Sequence, residues 1–314
     1  MSKTIRVLSL IALACFGSAC SQRAWIIDTH THFKGPDQIA YESEQTERHP
    51  KNTLGWVVRA EDYRPVADRM AIQSTVIVEA VDQDQPQFND WVFEACKSEL
   101  VCGYIARGDL TSQAFDEKYE RYSKTGYLKG YRFRFDELRG YLENDLARDR
   151  LKTLERDGMV VDLLIEVEHA DDVLELAKAY PDLTIVINHC FRAKMDDGKM
   201  SDEWHRAVTE CAKHPNVYCK ISSIVNFVRT EPFEETSPTD VATYLPVMEP
   251  CFQAFGEDRM IFGTNWGVCT HFAPVDDVTR IVRTFLASKG DSALRKGMRD
   301  NAIRVYRIDS KHLR

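Results

Sequence analysis

The chain has 314 residues, of which 44% are hydrophobic and 29% charged, ordinary globular proportions with length for one domain of about 250 residues or more. A net charge of −8 and a pI near 5.7 argue against nucleic acid as a partner. Beyond the N-terminus no apolar run reaches the roughly 18 residues that a membrane span needs, so no span is expected there.

The first twenty residues have the layout of a secretory signal. Lys3 and Arg6 precede the apolar run Val7 to Phe16, and Gly17-Ser18-Ala19 leads to Cys20. A cysteine directly after such a site resembles a bacterial lipobox. The expectation is an exported protein, periplasmic or anchored as a bacterial lipoprotein, touching the membrane only through a lipid on Cys20. Plain cleavage after Ala19 is the alternative. The remaining fold is expected over residues 24–309. Cys96 with Cys102, and Cys211 with Cys219, each bracket a helix end and a strand start, so each pair reads as a disulfide or as two small buried hydrophobes.

The folded part opens on Ile26-Ile27-Asp28-Thr29-His30-Thr31-His32-Phe33. Strict alternation there predicts a strand with Asp28, His30 and His32 on one face. Two imidazoles one residue apart can converge on one point, which suits metal binding or proton transfer. Residues 34–52 read as a long polar loop. Helices are then predicted over 60–71, 88–100, 112–125, 145–157, 171–179, 202–214, 241–255 and 275–288. They alternate with strands over 74–80, 101–106, 128–135, 160–167, 184–189, 217–222 and 259–265, and a short tail follows. Eight such strand–helix units make an α/β chain, a single closed (β/α)₈ TIM barrel. No glycine-rich phosphate turn follows the first strand, which disfavours an open doubly wound sheet.

Active sites of this architecture lie at the C-terminal strand ends. His30 and His32 arrive there from strand one, Glu79 from strand two, and Arg132 and Arg134 from strand four. Glu166 comes from strand five, His189 from strand six, Lys220 and Ser222 from strand seven, and Asn265 from strand eight. Arg132, Arg134, Arg192 and Lys194 form a cationic group in an acidic protein, which points to an anionic small-molecule ligand.

The His-x-His of strand one, the histidine ending strand six, Lys220-Ile221-Ser222 and the segment DRMIFGTNW of strand eight resemble the amidohydrolase superfamily, in its amidohydrolase-2 branch. The resemblance runs from Ile26 to about Tyr306. It implies an amidohydrolase-like barrel acting as a hydrolase, with His30, His32 and His189 as the superfamily's histidines. Its leading expectation is a lactonase that opens the cyclic ester of an anionic sugar acid. Lys220 or an arginine would stabilise the oxyanion, with Arg132, Arg134, Arg192, Lys220 and Ser222 binding substrate. A metal-dependent decarboxylase or C–C hydrolase, and a silent sugar-acid-binding barrel at the cell envelope, are the alternatives. Asn265 stands where the family usually has an aspartate base. The proton acceptor is therefore open among His271, Glu166 and the three histidines. One divalent metal, zinc, on His30, His32 and His189 is as consistent with the resemblance as a metal-free ring.

Overall fold

Eight strands follow one another in order around a single parallel sheet: β1 (Ile26–Thr31), β2 (Ile72–Val78), β3 (Val101–Arg107), β4 (Leu128–Arg134), β5 (Val160–Leu164), β6 (Thr184–Ile187), β7 (Val217–Ile221) and β8 (Met260–Phe262). This is a computed structural model, and it describes residues 25–44, 56–79, 88–135, 137–227 and 236–313. The expected signal segment 1–20, with Cys20, lies outside the described residues. A parallel bridge between Thr31 and Trp266 closes the ring beyond β8. His32 N donates to Trp266 O at 3.1 Å, and Asn265 N donates to His30 O at 2.8 Å. The predicted TIM barrel is the observed fold.

Alternation along each strand sends one set of apolar side chains inward and the other against the helices. Ile27, Val76, Ile105, Val160, Val186 and Ile261 fill the lumen, while Tyr104, Phe133, Leu163 and Ile185 pack under the helical shell. The lumen is a packed core, so chemistry is confined to its upper rim.

Three expectations need correcting. The loop expected over 34–52 contains a helix, Pro36–Glu44, with Pro36 as its first residue, where a missing N–H costs nothing; residues 45–55 lie outside the described ones. The tail is no tail. Helices Asp291–Arg295 and Asn301–Val305 follow the closing helix, and Ala302, Val305 and Tyr306 carry an i, i+3, i+4 apolar stripe into the bottom of the lumen. Finally, Asp28 does not share a face with His30 and His32. The β1–β2 register shifts between Asp28 and Thr31, and this irregularity breaks the period of two. Asp28 turns to the helix side, accepting hydrogen bonds from Tyr63 Oη (2.5 Å), Thr264 Oγ1 (2.5 Å) and Thr264 N (2.8 Å). Burial raises its pKa.

Candidate active site

The three expected histidines do come together at the rim. His30 lies edge-on to His32 with ring centroids 5.0 Å apart, and tilted against His189 at 4.6 Å. Both His30 nitrogens are buried without a hydrogen-bond partner among the described residues. Desolvation is the main reason that all three resist protonation. His30 and His189 fall well below the ordinary 6.5, with neighbouring positive groups adding to the effect, and His32 falls to about 3. At neutral pH the cluster is uncharged and its free lone pairs can accept protons. Gly263 makes room for it, since a Cβ there would sit 2.7 Å from His30 Cβ.

His189 is carried by unusual backbone. It and the next three residues, Cys190, Phe191 and Arg192, all have φ between 47° and 62°, a single left-handed turn. Such a turn costs roughly 1–2 kcal/mol per residue for L-amino acids, so the surroundings must hold it. Cys190 and Phe191 are buried, and Trp204 Nε1 donates to Cys190 O at 2.8 Å. Ser222 Oγ then meets His189 Nδ1 at 2.8 Å and fixes its ring.

The arginines have partners that the sequence alone did not pair with them. Arg134 makes a two-pronged ion pair with Glu79 (Nε–Oε1 2.8 Å, Nη2–Oε2 2.9 Å), and its backbone N–H donates to Glu137. Arg132 Nη1 donates to Glu79 O at 2.9 Å, with its Nε 4.0 Å from the Glu79 carboxylate. Burial alone would raise Glu79, but Arg134 and Arg132 outweigh it and hold the carboxyl at about 2. Arg132 also depresses the pKa values of His32 and His189, so its charge stands beside the histidine cluster. Arg192 and Lys194 both pair with Glu166, at 2.6 and 3.0 Å. A cationic group waiting for an anion is therefore replaced by one of charge pairs.

Asn265 joins the cluster through His32. Val78 O, 2.9 Å from His32 Nδ1, can only accept, so the neutral ring carries its proton on Nδ1. Nε2 is left with a lone pair, and Asn265 Oδ1 lies 2.8 Å away, with Asn265 Nδ2 donating to Ser223 Oγ at 2.7 Å. An amide can turn end for end where a backbone carbonyl cannot. The consistent network thus has the Asn265 –NH₂ donating to His32, with the amide's other end on Ser223 Oγ, 2.7 Å distant. Ser223 gave no signal in the sequence; it is a left-handed residue two positions beyond the end of β7.

The other expected site residues lie elsewhere. Lys220, expected to steady an oxyanion, is fully buried in the lumen. Its Nζ donates to Asp162 Oδ2 at 2.6 Å and to Thr29 O at 3.2 Å. Asp162 also accepts from Tyr306 Oη at 3.1 Å and from Asn188 Nδ2. Inward parity was read correctly for Lys220, but its depth was not. Glu166, a candidate base, is occupied by Arg192 and Lys194. His271 sits on the turn Val268–His271 with Trp56 edge-on at 6.1 Å; burial first, then Lys34, lowers its pKa.

His30, His32 and His189 are the side chains that would hold a divalent ion at the rim. The His32 Nε2 lone pair is engaged by Asn265. Among the described residues, the one group of three His, Cys, Asp or Glu side chains with all ligand atoms within 4.8 Å of one another is a set of cysteines elsewhere. Neither expected disulfide pair is bonded, and the seven described cysteines are free and buried.

The family model described as Amidohydrolase matches residues 27–308. The chain belongs to the amidohydrolase family. It is 27% identical over 256 residues to an L-fucono-1,5-lactonase of Burkholderia ambifaria, covering 77% of this chain and 80% of that protein. Its fold matches a Burkholderia multivorans amidohydrolase crystallised with bound zinc, with a TM-score of 0.77 and 20% identity over 91% of this chain and all of the other. A probable 2-pyrone-4,6-dicarboxylic acid hydrolase of Acinetobacter baumannii, crystallised with citric acid, gives a TM-score of 0.69 at 17% identity, over 90% and 99% of the two chains.

Proposed function

We propose that this amidohydrolase hydrolyses the lactone of a sugar acid. The observation that carries the reading is the buried, neutral histidine cluster with His30 unpartnered and the Arg132 charge beside it. The similarity to an L-fucono-1,5-lactonase supports the substrate class. A water molecule adds to the lactone carbonyl and yields its proton to an imidazole of the cluster. Arg132 faces the negative charge that develops on the carbonyl oxygen. The ring oxygen leaves, takes the proton back, and the product is an open hydroxy acid. Ser222 and Asn265 hold His189 and His32 in position, and the Arg134–Glu79 pair steadies Arg132. No step needs a metal.

A pH-stat assay over aldonolactones of six-carbon sugars tests this, with His30→Ala and His189→Ala as controls. Acid release that falls at least ~100-fold in both variants supports the reading. Carbon dioxide release from carboxylated aromatics would favour a decarboxylase instead, and ligand binding without turnover would favour a silent barrel.

We also propose export, on the Lys3-to-Cys20 layout. Intact mass of membrane-extracted protein should place the mature start at Cys20, acylated. An unprocessed Met1 in the soluble fraction would remove that proposal.

A further inference from the structure

Behind the histidine cluster, three cysteines meet. Cys190 comes from the left-handed turn after β6, Cys219 from β7, and Cys251 from the helix Leu245–Phe255. All three are buried, their sulfurs lie within 4.8 Å of one another, and Cys190 Sγ is 3.8 Å from Cys219 Sγ. A single core thiol is an ordinary small apolar side chain. Packing alone does not require three sulfurs from three distant segments to touch. We propose that this triad is a binding site for one soft monovalent metal ion, copper(I) in kind, separate from the catalytic rim.

Size, charge and ligand number agree on that ion. One side of the sulfur triangle is 3.8 Å and none exceeds 4.8 Å, so an ion at its centre would have sulfurs at about 2.2–2.8 Å, a range that includes the roughly 2.3 Å of a zinc–thiolate bond. The site offers three sulfurs. The nearest other acceptor from Cys190 Sγ is Lys220 O, at 3.8 Å, too far to ligate. Structural zinc almost always takes four ligands, whereas thiolate sulfur selects copper(I). A buried net charge is costly, and a monovalent ion is neutralised by one thiolate. One of the three thiols supplies that thiolate by losing its proton as the ion binds. Binding releases one proton to solvent and leaves the oxidation state unchanged. Pro250 removes one backbone donor inside the helix that carries Cys251, a weak point through which the ion can enter by local opening.

The test uses reduced, full-length protein titrated anaerobically with copper(I) alone against a chromogenic copper(I) chelator. Wild type, Cys269→Ser and His30→Ala should each retain one copper per chain, with an ultraviolet thiolate-to-copper charge-transfer band. Cys219→Ser and Cys251→Ala, checked for folding by circular dichroism, should bind at least ~100-fold more weakly and lose the band. Zinc should not survive the same competition. The proposal is overturned if wild type retains no copper, if the cysteine variants retain it equally, or if His30→Ala loses it. It is likewise overturned by tighter zinc than copper binding, or by a Cys190–Cys219 disulfide in the protein as purified.

Discussion

His32 Nε2 lies 2.8 Å from the Asn265 amide, and Val78 O lies 2.9 Å from the opposite nitrogen of the same ring. The carbonyl fixes the tautomer, so the group on Nε2 must donate a hydrogen bond. An amide can do so and a carboxylate cannot. Asparagine at this position therefore matches a neutral His32, which burial first and then Arg132 keep unprotonated.

It follows that Asn265→Asp should not restore a missing base. The new carboxylate would draw a proton onto His32, whose pKa is otherwise about 3, and place a salt bridge where a neutral pair stood. Lactone hydrolysis should fall at least ~10-fold, with the pH optimum displaced. Faster hydrolysis by the Asp variant would show that Asn265 marks a lost base.

The same buried rings set the acid limit of stability. An unfolded histidine takes up a proton near pH 6.5, while His30, His32 and His189 resist it when folded. The unfolded state therefore gains more protons as pH falls. Stability is complete above about pH 7 and is lost from 6.5 downward, by about 1.4 kcal/mol per pH unit for each such histidine. Glu79, held at about 2 against an ordinary 4.5, adds a second loss in the same direction between those values. Urea midpoints at pH 7.5, 6.0 and 5.0 should fall steadily, and His30→Gln should flatten the slope. Equal midpoints at all three values would contradict the burial of these rings.

Lys220→Met and Arg132→Ala should separate stability from catalysis. The first leaves the Asp162 carboxylate uncompensated in the lumen and should cost about 3–5 kcal/mol in chemical denaturation. Its kcat, measured well below its melting temperature, should change little. Arg132→Ala should lower kcat by about 10²–10³-fold. A large kcat loss with unchanged stability in Lys220→Met would return that lysine to the oxyanion.

Gly263→Ala places a methyl group 2.7 Å from His30 Cβ. The strand ends must shift by several tenths of an ångström, and His30 moves with them. Hydrolysis should drop by about 10²-fold, as misplacements near 1 Å do, while circular dichroism stays that of the wild type. Full activity would mean that the rim tolerates more displacement than its packing suggests.

The architecture was legible in the sequence because period-2 and period-3.6 patterns alternate so regularly between Ile26 and Ser288. The histidine cluster was legible because just two strand ends, those of β1 and β6, deliver it. What escaped was of three kinds. Register shifts have no sequence mark, so Asp28 was assigned to the wrong face. Charge pairing depends on neighbours across the sheet, so Glu79 could not be matched to Arg134, nor Glu166 to both Arg192 and Lys194. Depth along a strand was equally hidden, and Lys220 differs from Ser222 by two residues and a whole layer of the barrel. The stripe Ala302, Val305, Tyr306 was readable in principle, but it was passed over as a tail.

Tyr306 Oη reaches Asp162 across 144 residues of sequence, and Trp266 bridges back to Thr31. During synthesis, then, the lumen carboxylate lacks one partner and the second edge of β1 stays open until Tyr306 and Trp266 have left the ribosome. Such long-range closure is slow to nucleate and leaves β1 as an open edge in the meantime. The nascent chain needs either protection of that edge or delayed folding, and loss of the segment carrying Tyr306 would take a hydrogen-bond donor from the buried Asp162 carboxylate.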